Sequence, residues 1–493
     1  MKLGQAIVFA LVAGVLLSGP EPAAAATITD AQLTDYINRM SLEEQIGQLF
    51  VAPTPASPTD AQTAVAKYHL GGLILFGRDL TGKTAAQVAA VVRADQAKAK
   101  VPLLIATDQE GGSVSRLSSS LTYANTPFPS PQAANRAGGM AKVLAAATTA
   151  QEDLAALGVN WNFAPVADVS TNPASFIYAR TFGQNYQATA DYIKQVVPVM
   201  QSTGVGATLK HFPGYGDQGD THVGFATSAR PLAQLQQRDL LPFQAGIDAG
   251  VDGIMVTHII MTAIDPNYPA SLSAKVVTQL LRKQMHYQNV IITDDLSMGA
   301  IGDFTRAHHL ATADVLAVQA GNDLILHNDY ATGIPAIAAA VAKGTISRQQ
   351  IQAADLRILQ LKRKLNLLAA AQFPAAKLTL TQRKLTKRTL TLHGTGPANT
   401  TVNAMAGAAK IGTTRTTAAG AFTLALARTA RTRHVTLTAS SAKRTITIPA
   451  RRHKQPVKRQ AWLPWAAGGA GVVVIAGLAG IATRHRPGRH RRH

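Results

Sequence analysis

Cysteine is absent from the 493 residues, which excludes a disulfide scaffold, a thiolate metal site, a thiol nucleophile and a lipidated cysteine anchor. Aromatic residues are scarce at 5%, and Asp, Glu, Lys and Arg together make up only 15%. The sharpest absence is local. Residues 373–493 contain no Asp or Glu, yet they carry 22 of the 48 Lys and Arg, whereas residues 1–372 hold 26 basic and 27 acidic side chains. The formal charge of +21 therefore belongs to one end of the chain, and it argues against a nucleic-acid partner for the body. What the chain does have is a hydrophobic content of 46%, enough for a packed core and too much for global disorder.

Both ends carry membrane signals. Lys2 is followed by an apolar run from Ala6 to Leu17, then Ser18-Gly19-Pro20 and the small residues Ala23 to Ala26. That order predicts a cleavable secretory signal over residues 1–26. At the other end Trp462-Leu463-Pro464-Trp465 opens an uncharged stretch reaching Ala482, long enough for a bilayer span, with five arginines after it. The expectation is a basic linker at 451–461, a transmembrane helix at 462–483 and an Arg-rich cytoplasmic tail at 484–493. The body would then sit on the extracellular face of the cell membrane, held by a single-pass C-terminal anchor.

Between the ends, apolar runs alternate with helical patterns. Strand candidates are Gln48–Ala52, Gly72–Phe76, Leu103–Asp108, Asn160–Asp168, Ala207–Phe212, Gly253–Ile260, Val290–Asp294 and Asp323–His327. Helical patterns such as Ala85–Lys98, Met140–Leu157, Ala188–Ser202, Leu232–Ala249, Ala274–His286 and Leu310–Gln319 lie between them, and Ile346–Leu365 reads as a closing helix. Ser41-x-x-Glu44 supplies a capping box ahead of the first strand. Eight strand–helix units predict an α/β fold, a (β/α)8 TIM barrel over residues 27–372.

A barrel alone names no chemistry, but its strand ends do. Asp108, Asp168, Lys210, His211, His258 and Asp294 all close strand candidates and should converge at the C-terminal face. Asp294, fixed behind Ile291-Ile292-Thr293, could serve as a nucleophile or a charge stabiliser, while Asp295 suits a helix cap better. The Gly-rich segment Lys210 to His222 is a loop in which Asp220 and His222 could hydrogen-bond. A carboxylate on one imidazole nitrogen orients the ring for proton transfer, although an isolated Asp-x-His is also an ordinary solvated turn. No HExxH or clustered His/Asp pattern marks a metal site, and no cofactor is expected.

Four strings occur in order: Asp108-Gln109-Glu110-Gly111-Gly112-Ser113-Val114-Ser115-Arg116, Lys210 to Gly216, Asp220-Thr221-His222, and Thr293-Asp294-Asp295-Leu296-Ser297-Met298. Together they resemble glycoside hydrolase family 3, in particular its NagZ-type β-N-acetylglucosaminidases. The resemblance implies a retaining exo-glycosidase, a β-N-acetylhexosaminidase removing terminal non-reducing β-linked N-acetylglucosamine. Its glycan substrates would be N-acetylglucosaminides and muropeptides released from peptidoglycan. Asp294 matches the nucleophile that forms a covalent glycosyl-enzyme, and His222 the acid/base, partnered by Asp220 on a mobile loop. Asp108, Arg116, Arg180, Lys210 and His211 match substrate contacts, with His258 along the pocket. Two departures stand out: Tyr215 replaces the His of the family's KHFPGHG string, and the loop from Gly216 to Asp220 is about one residue short. Both bear on loop motion and substrate fit. The alternatives are a family 3 β-glucosidase-like enzyme and a non-catalytic wall-glycan-binding surface protein. The first usually draws its acid/base from a second domain, and the second has no need of an intact nucleophile and dyad.

Residues 373–450 form a basic Thr-rich region in which Thr alternates with apolar residues, as in Leu390-Thr391-Leu392 and Thr445-Ile446-Thr447-Ile448, with glycines between the runs. Period-two patterning predicts short antiparallel strands and a small Ig-like sandwich. Its charge would suit anionic cell-wall polymers.

Overall fold

The computed structural model describes residues 28–119, 127–310, 312–374, 377–417, 419–428, 433–440 and 442–448. Eight short strands form its centre: β1 (Phe50–Pro53), β2 (Gly72–Leu75), β3 (Leu104–Thr107), β4 (Trp161–Asn162), β5 (Gly206–Phe212), β6 (Gly253–Val256), β7 (Val290–Thr293) and β8 (Ile325–Leu326). They are buried on both faces, which is why they read as continuous apolar runs rather than alternating ones. All pair in parallel, in the order β7-β6-β5-β4-β3-β2-β1-β8. A parallel bridge between Ile292 and Leu324 joins the two ends, with the Asp323 and Leu324 amides donating to the Ile291 carbonyl at 2.8 and 3.0 Å. The sheet thus comes round on itself as a TIM-like barrel.

Helices cover the strands because their apolar stripes have nowhere else to go. Ile193, Val197, Leu209 and Phe243 share one helix-to-strand cluster, and Trp161, Phe163 and Met255 belong to another that fills the barrel. Each such side chain contributes about 1.5–3 kcal/mol on burial. Capping boxes at Thr29/Gln32, Ser41/Glu44 and Thr84/Gln87 fix where three helices begin. The helix Arg348–Lys364 closes the barrel. Its Lys364 donates to Asp252 at 2.5 Å, directly ahead of β6, so the chain leaves the barrel at the N-terminal end of the strands.

Seven antiparallel strands follow: β9 (Thr379–Leu385), β10 (Thr389–Thr395), β11 (Thr401–Ala406), β12 (Ala409–Arg415), β13 (Ala421–Ala427), β14 (His434–Ala439) and β15 (Ala442–Thr447). They make two sheets, β9-β10-β13 and β12-β11-β14-β15. Leu390, Leu392, Leu424, Leu426, Val435 and Leu437 point into one shared core, while the intervening threonines face out. This sandwich hangs on the helix Asp30–Arg39. Asn399 donates to the Asn38 carbonyl and Ser440 to the Ala31 carbonyl, each at 3.2 Å.

One expectation is overturned. Among the described residues no helix is long and apolar enough to cross a membrane. The longest, Pro131–Ala156, carries Arg136, Lys142, Glu152 and Asp153. The transmembrane helix at 462–483, the single-pass anchor and the extracellular-face localisation built on it are therefore not supported. The stretch that prompted them lies outside the described residues, as do the secretory signal at 1–26, the linker at 451–461 and the tail at 484–493.

Candidate active site

The loop after β3 presents two carboxylates because Gln109 between them is locked. Its amide donates to Asn162 Oδ1 at 3.0 Å, its carbonyl accepts from Asn162 Nδ2 at 3.1 Å, and its side chain donates to Ser115 at 2.8 Å. Gly111 and Gly112 follow with φ of 87° and 65°, and a Cβ at Gly111 would lie 2.2 Å from the Pro129 carbonyl oxygen. Only glycine permits that approach. Asp108 accepts from Lys210 Nζ at 2.8 Å and from Arg116 Nη2 at 3.1 Å. Glu110 accepts from Arg180 Nε at 2.9 Å and Nη2 at 2.7 Å, and pairs with Lys210 at 2.5 Å. Three cations surround two carboxylates. Burial would raise both acids, but the Lys210 ammonium with its arginine neighbours holds Asp108 well below the usual carboxylate range and lowers Glu110 as well.

β5 delivers Lys210 and His211, joined by a cis peptide. Asp168, carried in the segment after β4, is fully buried and spends both oxygens here. Oδ2 accepts from the His211 amide at 3.0 Å and pairs with His211 Nδ1 at 2.7 Å; Oδ1 accepts from the Tyr215 amide at 2.7 Å. The outer nitrogen of His211 stands 3.3 Å from Arg180 Nη2. In the loop beyond, His222 Nδ1 lies 2.6 Å from Asp220 Oδ1, which also accepts the His222 amide at 2.9 Å. The His222 side chain is 55% exposed, so its outer nitrogen is free to reach a ligand.

Asp294 follows β7, with its amide donating to the Val256 carbonyl at 2.9 Å. Burial would push its carboxyl up, but the His211 and His258 rings, the Asp295 amide donating to Oδ1 at 2.9 Å and Lys210 together hold it below the ordinary value. Asp294 is thus a charged carboxylate at neutral pH, the form a nucleophile needs. Asp108, Arg116, Arg180, Lys210, His211, Asp220, His222 and Asp294 all line one cleft of about 470 Å³ at the C-terminal ends of the strands, beside Phe76, Phe176 and Met298.

His258 does not join them. It is fully buried, donates from Nε2 to the Asp295 carbonyl at 2.9 Å and meets Ser271 Oγ at 2.8 Å through Nδ1. A carbonyl only accepts, so the proton sits on Nε2, and burial lowers the ring's pKa. It braces the turn after the nucleophile candidate. Sequence reasoning gave no role to Glu110, although it stands in a string that was singled out, and placed Asp168 only as a strand end that should converge with the others. Phe176 was missed outright, since a lone loop aromatic carries no pattern.

The sequence over residues 41–361 matches the glycosyl hydrolase family 3 N terminal domain. A β-hexosaminidase of Xanthomonas campestris pv. campestris (strain B100) is 36% identical over 259 residues, 50% of this chain and 77% of that protein. Among solved structures, a glycoside hydrolase family 3 β-N-acetylglucosaminidase from Paenibacillus sp. str. FPU-7 aligns with a TM-score of 0.62 and 32% identity, covering 70% of this chain and 71% of that one. A β-N-acetylhexosaminidase from Beutenbergia cavernae DSM 12333 aligns at 0.55 and 30%, covering 66% of this chain and 98% of its own.

Proposed function

Since the chain belongs to glycosyl hydrolase family 3 and is a glycoside hydrolase of the β-N-acetylhexosaminidase kind, we propose that it is a retaining exo-enzyme using Asp294 as nucleophile and His222 with Asp220 as acid/base. The observation that carries this is the meeting of a charged strand-end carboxylate and an exposed His–Asp pair in one cleft. Asp294 attacks the anomeric carbon of a terminal β-linked N-acetylglucosamine while His222 gives its proton to the departing oxygen. Water then attacks the glycosyl-enzyme, His222 takes the proton, and Asp294 leaves with its electron pair. Retaining enzymes usually use two carboxylates; an imidazole does the same proton work without a second negative charge near the nucleophile. Asp108 has lone pairs left for sugar hydroxyls after its two ion pairs, and Arg116, Arg180, Lys210 and His211 supply donors around it. The glycans in this reading are peptidoglycan fragments, in which N-acetylglucosamine is β-linked to a lactyl-bearing neighbour. The acid-free sandwich, in this reading, holds anionic wall polymers.

Asp294→Asn should lower kcat by several orders of magnitude with the fold intact by circular dichroism. A 5-fluoro N-acetylglucosaminyl fluoride should label Asp294, read by peptide mass spectrometry. A label on Asp295, or none, removes the assignment. Hydrolysis of disaccharide muropeptides faster than of chitobiose supports the substrate reading, and the reverse order removes it.

A further inference from the structure

Tyr215 takes no part in the proposed reaction, yet it reaches the dyad from a fixed base. Its amide is held by Asp168, the carboxylate that also holds His211. At the far end of the ring its hydroxyl accepts from the Thr221 amide at 2.9 Å and meets Thr221 Oγ1 at 3.0 Å. Thr221 stands between Asp220 and His222 and is fully buried. From the opposite side, the Ala300 and Gly299 amides donate to the Thr221 and His222 carbonyls, each at 3.2 Å. Those amides open the helix Gly299–Ala307, five residues after Asp294. Phe176 completes the contact, with ring centroids 5.9 Å from Tyr215 and 5.8 Å from His222.

We propose that Tyr215 is a positioning residue that latches the Asp220–His222 loop against the helix following Asp294. A buried amide left without an acceptor is costly, so the loop can lie inward at Thr221 only where something accepts that N–H. The phenol does so here. The reach of the phenol matters: an imidazole on the same base would end before the Thr221 amide. The catalytic consequence rests on the reading of His222 as acid/base; the latch itself does not.

The test uses the full chain. In Tyr215→Phe, hydrogen–deuterium exchange over residues 220–223 should rise about ten- to a hundredfold, the factor expected when a buried amide loses its acceptor. The kcat/KM for alkyl N-acetylglucosaminides, which reports the proton-assisted first step, should fall by a similar factor, and kcat/KM for activated aryl glycosides should be nearly unaffected. Gly299→Ala attacks the latch from the other side, because its Cβ would lie 2.7 Å from the His222 carbonyl oxygen; the same pattern is expected. Unchanged exchange in both variants overturns the latch, and so does a loss that is equal for the two substrate classes while His222→Ala distinguishes them. His222→Ala judges the underlying reading separately: equal slowing of both classes removes the acid/base role, and exchange alone then decides the latch.

Discussion

Asp294 shows how a partly enclosed carboxyl stays charged. Burial works against it, and the fixed Lys210 charge, the Asp295 amide and two imidazoles work for it. A lowered carboxyl remains ionised further into acid, so activity should persist as pH falls through about 4, the ordinary carboxylate value. The kcat/KM profile measures this. Lys210→Gln removes one of the supporting charges and should move the acid limb to higher pH; a limb that stays in place would show that Lys210 leaves Asp294 untouched. Glu110 is the structural counterpart. Glu110→Gln deprives Arg180 and Lys210 of a buried partner and should destabilise by about 3–5 kcal/mol in denaturant unfolding. The role of Glu110 was not legible in the sequence for a plain reason. Its partners lie 70 and 100 residues away, and no local period links them. Asp294, Asp220 and His222 were legible because strand ends and a two-residue spacing are local signals, sharpened by the family strings around them.

At the level of elements, every one of the eight strand candidates overlaps an observed strand, and six contain it whole, because a buried parallel strand writes itself as an unbroken apolar run. The helices were less readable. The pattern from Met140 missed nine residues of the helix Pro131–Ala156, which is interrupted at Gly138 and Gly139, the latter at φ 62°. Leu232–Ala249 looked like one helix and is two, Leu232–Gln237 and Leu240–Asp248, divided where Asp239 turns to pair with Arg230. Arg230 in turn donates to the Gly214 carbonyl at 2.7 Å, so the break serves the active-site loop, a demand no helical period reveals. The helix Ala85–Gln96 carries a cost of its own. Asp95 is buried in its last turn, where the helix dipole disfavours an anion. Burial, aided by the Asp79 charge, raises its carboxyl to about 6. A raised carboxyl gives its full stability below about pH 4 and loses it as pH climbs through 6. Asp95→Asn should therefore be neutral in acid and stabilise by about 1–2 kcal/mol at pH 7. Thermal melts at pH 4 and pH 7 would show a difference only at the higher value; equal shifts at both would refute the ionic account.

The whole molecule joins a near-neutral barrel to a sandwich without an acidic residue. Lys384 and Arg388 are exposed at the tip between β9 and β10, and Arg415 ends β12. If this surface holds anionic polymers, retention of the protein on immobilised polyphosphate should weaken steeply with salt as counterions are released. Changing Lys384, Arg388 and Arg415 together to Gln should lower the midpoint salt concentration while kcat/KM for a soluble aryl N-acetylglucosaminide stays the same; an unchanged midpoint would assign retention elsewhere. The period-two pattern made these strands legible, whereas their mounting on the barrel was not, since Asn38 and Asn399 are a hydrogen-bonded pair 361 residues apart. That mounting lies at the N-terminal end of the barrel strands, and the cleft opens at the other end. A polymer bound at the sandwich would therefore meet the molecule on the side away from the cleft, and the mouth of the barrel would stay open to a passing glycan.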